Sequence, residues 1–124
     1  MDILIVDDDL DFIHITEHWL TKAGHAVRHV VSGRMALEAL AADPLPDLVL
    51  LDVMLPKIDG FALLKQLRAE PRTAKVPIMI VSSFDRDKDV ARGMELGADD
   101  YVIKPLMEYQ FLGRVARFAP KKPE

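Results

Sequence analysis

The chain has 124 residues, a formal net charge of −4, half of its residues apolar and no cysteine. That size and apolar content suit one domain with its own core and exclude global disorder, while the missing cysteines remove disulfide and thiol chemistry. The acidic balance argues against a direct nucleic-acid interface, and with no apolar run near the ~20 residues of a membrane helix and no room for a signal peptide, a cytoplasmic domain is expected.

The first element is an apolar run from Ile3 to Val6, a predicted strand. Asp7, Asp8 and Asp9 come next, and Asp9 suits the N-cap of a helix. That helix is expected to place Phe12, Ile15, Trp19 and Ala23 on one face and to stop at Gly24. A weaker strand, Ala26 to Val31, is broken by Arg28 and His29 and is expected at a sheet edge. Ser32 then caps a helix running to Ala41, ahead of Asp43 and Pro44.

The second half repeats the alternation. Leu48 to Leu51 is a strand, Asp59 and Gly60 form a turn, and a helix from Phe61 carries Leu64 and Leu67 and ends before Pro71. Ile78 to Val81 is the next strand. Asp85 or Asp87 is expected to cap a helix bearing Val90, Ala91 and Met94 and ending at Gly97. Tyr101 to Ile103 is the last strand, and Leu112, Val115 and Ala116 mark a helix closed by Pro120. Residues 1–119 therefore read as one domain and 120–124 as a tail or the start of a linker.

Continuous Ile, Val and Leu runs suit parallel strands buried on both faces. Strand and helix alternate five times, which predicts an α/β three-layer sandwich: a parallel five-stranded sheet between helices joined by right-handed crossovers. Two sheet orders compete for such a chain, and the flavodoxin-like 2-1-3-4-5 is the natural one for five units.

The residues directly after each central strand carry the chemistry. Asp7 and Asp8 come after the first, Asp52 after the third, Ser82 and Ser83 after the fourth and Lys104 after the fifth. In a parallel sheet these positions share the carboxyl edge, where open α/β folds bind ligands. Clustered carboxylates repel, and oxygen ligands without His or Cys point to Mg2+, which takes one or two carboxylates and a phosphate oxygen. A metal-bound carboxylate beside an ammonium and a hydroxyl suits phosphoryl transfer onto the carboxylate.

The runs Ile3 to Asp9, Asp47 to Gly60, Pro77 to Ser82 and Gly97 to Pro105 together resemble the signature of response regulator receiver domains across essentially the entire chain. The resemblance implies that Asp52 is the phosphoacceptor and that Asp7, Asp8, Asp52 and the Met54 backbone carbonyl hold Mg2+. It implies that Lys104 contacts the phosphoryl group, that Ser82 is the switching hydroxyl and that Tyr101 is the switch aromatic. The bond before Pro105 is expected in cis. Met54 and Phe84 match positions that flank the route of the hydrolytic water, and since both are apolar, slow loss of the phosphoryl group is expected.

The implied partners are a histidine kinase or phosphotransfer protein and an unknown downstream protein or output domain. Output is expected through the face of the fourth helix, fifth strand and fifth helix, with a phosphorylation-dependent dimer possible in such domains. Membrane and direct nucleic-acid partners are not expected. An alternative is a small Mg2+-dependent phosphohydrolase working through an aspartyl phosphate, but such enzymes need an acid two residues past the nucleophile, where this chain has Met54. A flavin carrier of the same topology needs a Ser, Thr and Gly-rich phosphate loop in place of Asp7 to Asp9. His14 and His18, four apart on one helix, and the pair His25 and His29 are expected to be surface residues without a metal.

Overall fold

The computed structural model describes residues 1–120 and places five strands in one parallel sheet of order β2-β1-β3-β4-β5. In chain order the elements are β1 (Asp2–Val6), α1 (Leu10–Lys22), β2 (Ala26–Val30), α2 (Gly33–Ala41), β3 (Leu48–Leu51) and α3 (Gly60–Ala69). They continue with β4 (Ile78–Ser82), α4 (Asp87–Glu95), β5 (Asp100–Ile103) and α5 (Glu108–Ala116). This is the flavodoxin-like α/β sandwich expected from the alternation. The expected tail lies, from residue 121 onward, outside the described residues. Among the described residues no helix is long and apolar enough to cross a membrane.

Alternate side chains of each central strand feed two cores, as the period of two requires. Leu4, Val6, Val49, Leu51, Ile78 and Ile80 face α2, α3 and the inner edge of α4. Ile3, Ile5, Leu48, Leu50, Met79 and Val81 face α1 and α5. Both faces are dry, so the runs contain no polar alternation. Register pairs Ile5 with Leu50, Leu50 with Met79, and Met79 with Asp100. The edge strand β2 exposes Arg28 and His29, and its run stops at Val30 rather than Val31.

The helix caps arise from local chemistry. Asp9, Ser32 and Asp59 each accept a backbone N–H of the first turn they cap. α1 and α4 end in left-handed glycines, Gly24 and Gly97. Around each, two backbone N–H groups return to the final turn: His25 to Leu20 and Gly24 to Thr21, then Ala98 to Gly93 and Gly97 to Met94.

Several expectations are corrected. The buried positions of α1 are Ile13, Thr16 and Leu20, with Phe12 and Trp19 at the margin, while Ile15 is 53% exposed. The buried line is the residue after each of Phe12, Ile15 and Trp19, because Ile13 and Leu20 are the side chains that meet the sheet face and α5. Neither Asp85 nor Asp87 caps α4: Arg86 occupies the cap without a side-chain hydrogen bond, and Asp87 is the first helical residue, where its charge still complements the helix dipole. Met94 is exposed and only Gly93 is fully buried on α4, because this helix sits over the sheet by its backbone. α5 contains Leu112, Val115 and Ala116 as expected, and its fully buried residues are Phe111 and Val115.

Gly60 is the first residue of α3, one before the predicted start, and it is required for space rather than for a turn conformation. A Cβ there would lie 2.3 Å from Val53 Cα and 2.7 Å from the Asp52 carbonyl oxygen. The left-handed residue of that loop is Lys57, at φ 67°. The Lys104–Pro105 bond is cis as expected, and so is Asp43–Pro44.

Candidate functional site

Parallel pairing brings the strand ends together. The Asp7 N–H donates to the Val30 carbonyl and the Asp52 N–H to the Val6 carbonyl, so each ladder continues one residue past its strand and holds the acid next in the chain. The Lys104 N–H likewise donates to the Ser82 carbonyl. Asp7, Asp52 and Ser82 are buried, Asp7 to 1% exposure, and Asp8 faces solvent.

Lys104 Nζ lies 2.8 Å from Asp7 Oδ2 and 3.1 Å from Asp52 Oδ2. The second oxygen of each acid takes a backbone N–H two residues on, Asp9 to Asp7 Oδ1 at 2.9 Å and Met54 to Asp52 Oδ1 at 2.8 Å. These local turns fix both carboxylates. One oxygen from each of Asp7, Asp8 and Asp52 falls within 4.8 Å of the others, the sole such group of three potential ligands among the described residues.

The electrostatics are those of an under-compensated acidic pocket. Burial pushes the Asp7 carboxyl above its ordinary range, and the Lys104 hydrogen bond opposes this without overcoming it. Burial alone would depress the Lys104 ammonium, but the hydrogen bond it donates to Asp7 and the charges of Asp52 and Asp7 raise it instead. Three carboxylates face one ammonium, so two negative charges remain unmatched when all are ionised. An all-oxygen donor set with that surplus fits a divalent hard cation such as Mg2+.

Of the two serines after β4, Ser82, the one favoured by the register of the resemblance, is enclosed and its Oγ accepts the Phe84 N–H at 3.3 Å, while Ser83 is exposed. Tyr101 points inward, with its hydroxyl donating to the Phe84 carbonyl at 2.7 Å. Burial, then the charges of Asp89, Asp52 and Asp85, push its phenol up to about 12. Met54 and Phe84 are 48% and 37% exposed and line one groove beside the site.

Two residues at the site carried no distinguishing sequence signal. Arg92 of α4 stacks 4.6 Å from the Phe61 ring centroid and lies 3.7 Å from Asp59, tying α4 to the loop after β3. Phe12, expected as a packing residue, lies under Lys104 with its ring centroid 4.1 Å from Nζ. The histidines stay apart from the site. His14 and His18 are exposed, His29 pairs with Glu17, and His25 meets the Met1 amine, whose charge adds to burial in lowering its pKa.

Residues 3–116 match the family model described as the response regulator receiver domain. The DNA-binding dual master transcriptional regulator RpaA of Synechocystis sp. is 40% identical over 91% of this chain and 46% of its own length. The response regulator PleD of Caulobacter vibrioides is 37% identical over 91% of the chain and 25% of its own length. The chain thus spans a quarter to a half of these curated relatives. Among solved structures, the receiver domain of a signal transduction histidine kinase from Syntrophus aciditrophicus is similar at TM-score 0.87 and 33% identity, covering 99% of this chain and 94% of that one. The beryllofluoride-activated N-terminal receiver domain of Klebsiella pneumoniae RstA is similar at TM-score 0.89 and 32% identity, covering 98% and 100%. With the fold, the strand order and the match over nearly its full length in agreement, the chain belongs to the response regulator receiver domain family of two-component signalling.

Proposed function

We propose that this chain is a phosphorylation-driven switch in which Asp52 accepts a phosphoryl group from the phosphohistidine of a histidine kinase or phosphotransfer protein, with Mg2+ as cofactor. The observation that carries the reading is the bridge from Lys104 to Asp7 and Asp52, with Asp8 in reach of both acids. An Asp52 oxygen attacks phosphorus in line; the P–O bond forms as the P–N bond breaks, and the electron pair leaves with the imidazole. Lys104 turns its hydrogen bond from the carboxylate to a phosphoryl oxygen. The Ser82 hydroxyl accepts the Phe84 N–H and keeps its own proton to donate to another. Asp7, Asp8, Asp52 and the Met54 carbonyl are the residues that would hold Mg2+, which when bound supplies charge neutralisation to the transferring group.

Phosphorylation acts so far as it favours one of two conformations. We assign the output to the face of α4, β5 and α5, with Tyr101 as its switch aromatic and a downstream protein, an attached domain or a second copy as the reader. The receiver occupies residues 1–119, in a cytoplasmic setting. Met54 leaves no acid to protonate a leaving group, which favours a switch over a turnover phosphohydrolase.

The test is incubation with acetyl phosphate, or with beryllofluoride, in the presence of Mg2+, comparing wild type with Asp52→Asn. A Mg2+-dependent adduct on the wild type alone is expected; its absence refutes the reading. Mg2+ should also raise the melting temperature, and Asp8→Ala should remove most of that rise.

A further inference from the structure

Lys104 is held from three sides. Two hydrogen-bond directions of its ammonium go to Asp7 Oδ2 and Asp52 Oδ2, and the third side rests on the face of Phe12, with Nζ 4.1 Å from the ring centroid. The lysine side chain is 15% exposed, so this contact is largely desolvated, the condition in which an aromatic face attracts a cation most strongly.

The ring is not placed by chance packing. Phe12 is the third residue of α1, and its own N–H is the donor that Asp9 captures as helix cap, at 3.2 Å. The Asp9 N–H in turn donates to Asp7 Oδ1. One turn of chain therefore sets Asp7, the helix cap and the ring together, and Phe12 packs at the edge of the α1 and α5 core. A carboxylate or carbonyl at this place would compete for an ammonium proton. A π face holds the cation and leaves its N–H groups directed at the acids.

The geometry points to Phe12 as a positioning residue for Lys104: its ring confines the ammonium to the arc from which it can reach a group bound on Asp52. This rests on the phosphoryl-acceptor reading above. An aliphatic side chain at 12 fills similar space but offers no π face, so Lys104 gains freedom to settle elsewhere along Asp7 or toward solvent.

The experiment measures beryllofluoride affinity in saturating Mg2+ by calorimetry for wild type, Phe12→Leu, Phe12→Tyr and Asp52→Asn. Phe12→Leu should bind roughly three- to thirtyfold more weakly, the range spanned by cation–π contacts, and Phe12→Tyr should restore binding to near the wild-type value. In parallel, NMR of the free protein reads the Lys104 ε-methylene protons, which the ring should shift upfield in wild type and Phe12→Tyr but not in Phe12→Leu. Unchanged Lys104 resonances in Phe12→Leu, or wild-type affinity in that variant, overturn the positioning role while leaving Asp52 as acceptor. Weakened binding in Phe12→Tyr equal to that in Phe12→Leu overturns it as well, since loss of packing alone then suffices. No wild-type binding, or equal binding by Asp52→Asn, overturns the acceptor reading and the positioning role with it.

Discussion

Gly93 of α4 lies against the ring of Tyr101: a Cβ at residue 93 would fall 3.1 Å from Tyr101 Cδ2 and 2.7 Å from Ile80 Cδ1. The helix approaches the sheet by its backbone, and the missing side chain is the room the inward tyrosine uses. Gly93→Ala gains about 1 kcal/mol of helix propensity and meets overpacking of roughly 1–3 kcal/mol. A net loss near 1 kcal/mol by urea denaturation is expected, together with a displaced Tyr101 ring by NMR. A variant more stable than wild type would show that the ring does not depend on this space.

Tyr101 also makes a prediction in pH. Its phenol is raised to about 12 from an ordinary 10.0, so the fold favours the neutral form. A raised group stabilises fully below its unfolded pKa, and the contribution is lost as pH climbs from about 10 through about 12. In a Tyr109→Phe background, ultraviolet titration should show Tyr101 ionising near pH 12. A midpoint near 10 in the folded protein would contradict the buried phenol. Tyr101→Phe should cost about 1 kcal/mol for the hydrogen bond to the Phe84 carbonyl.

Arg68 joins three segments at the far end of the sheet. Its guanidinium donates to the carbonyls of Gly97, Thr73, Ala74 and Val76 and to Asp99, whose carboxylate also accepts the Ile78 N–H. Arg68→Met strands several of these acceptors and should destabilise by about 2–4 kcal/mol. Arg68→Lys should recover less than half of that, because an ammonium cannot span the planar fork. Full recovery by lysine in urea denaturation would mean that charge, not geometry, matters there.

Met54 and Phe84 give the approach to Asp52 an apolar lining. Water meets no hydrogen-bonding side chain at either position, so the phosphoryl group should be long-lived. Met54→Asn combined with Phe84→Gln should speed its loss about tenfold, a barrier change near 1.4 kcal/mol. The decay of phosphorylated protein on separation gels measures it, and equal rates for wild type and the double variant would remove these residues from the hydrolysis route.

The central strands were legible because Ile3–Val6, Leu48–Leu51 and Ile78–Val81 are buried on both faces, which demands unbroken apolar runs. The site was legible for a related reason. Once four strands are parallel, Asp7, Asp52, Ser82 and Lys104 must meet at one edge whatever their separation along the chain. The span of α4 up to Gly97 was legible, but its cap and its packing through Gly93 were not, since its apolar content is small and hydrophobic periodicity does not register a backbone contact.

The sequence by itself determined the alternation and the set of acids, hydroxyl and ammonium that follow the strands, since these depend on residue type and on position relative to a strand end. Alternation allows two sheet orders, and the tertiary pairing selects 2-1-3-4-5. The tertiary structure decided which flank of α1 is buried, that Ser82 rather than Ser83 is enclosed, that Tyr101 turns inward and that Phe12 meets Lys104. Those outcomes depend on the direction of side chains between segments far apart in the chain. Such directions are settled by close packing of neighbours that no local pattern encodes.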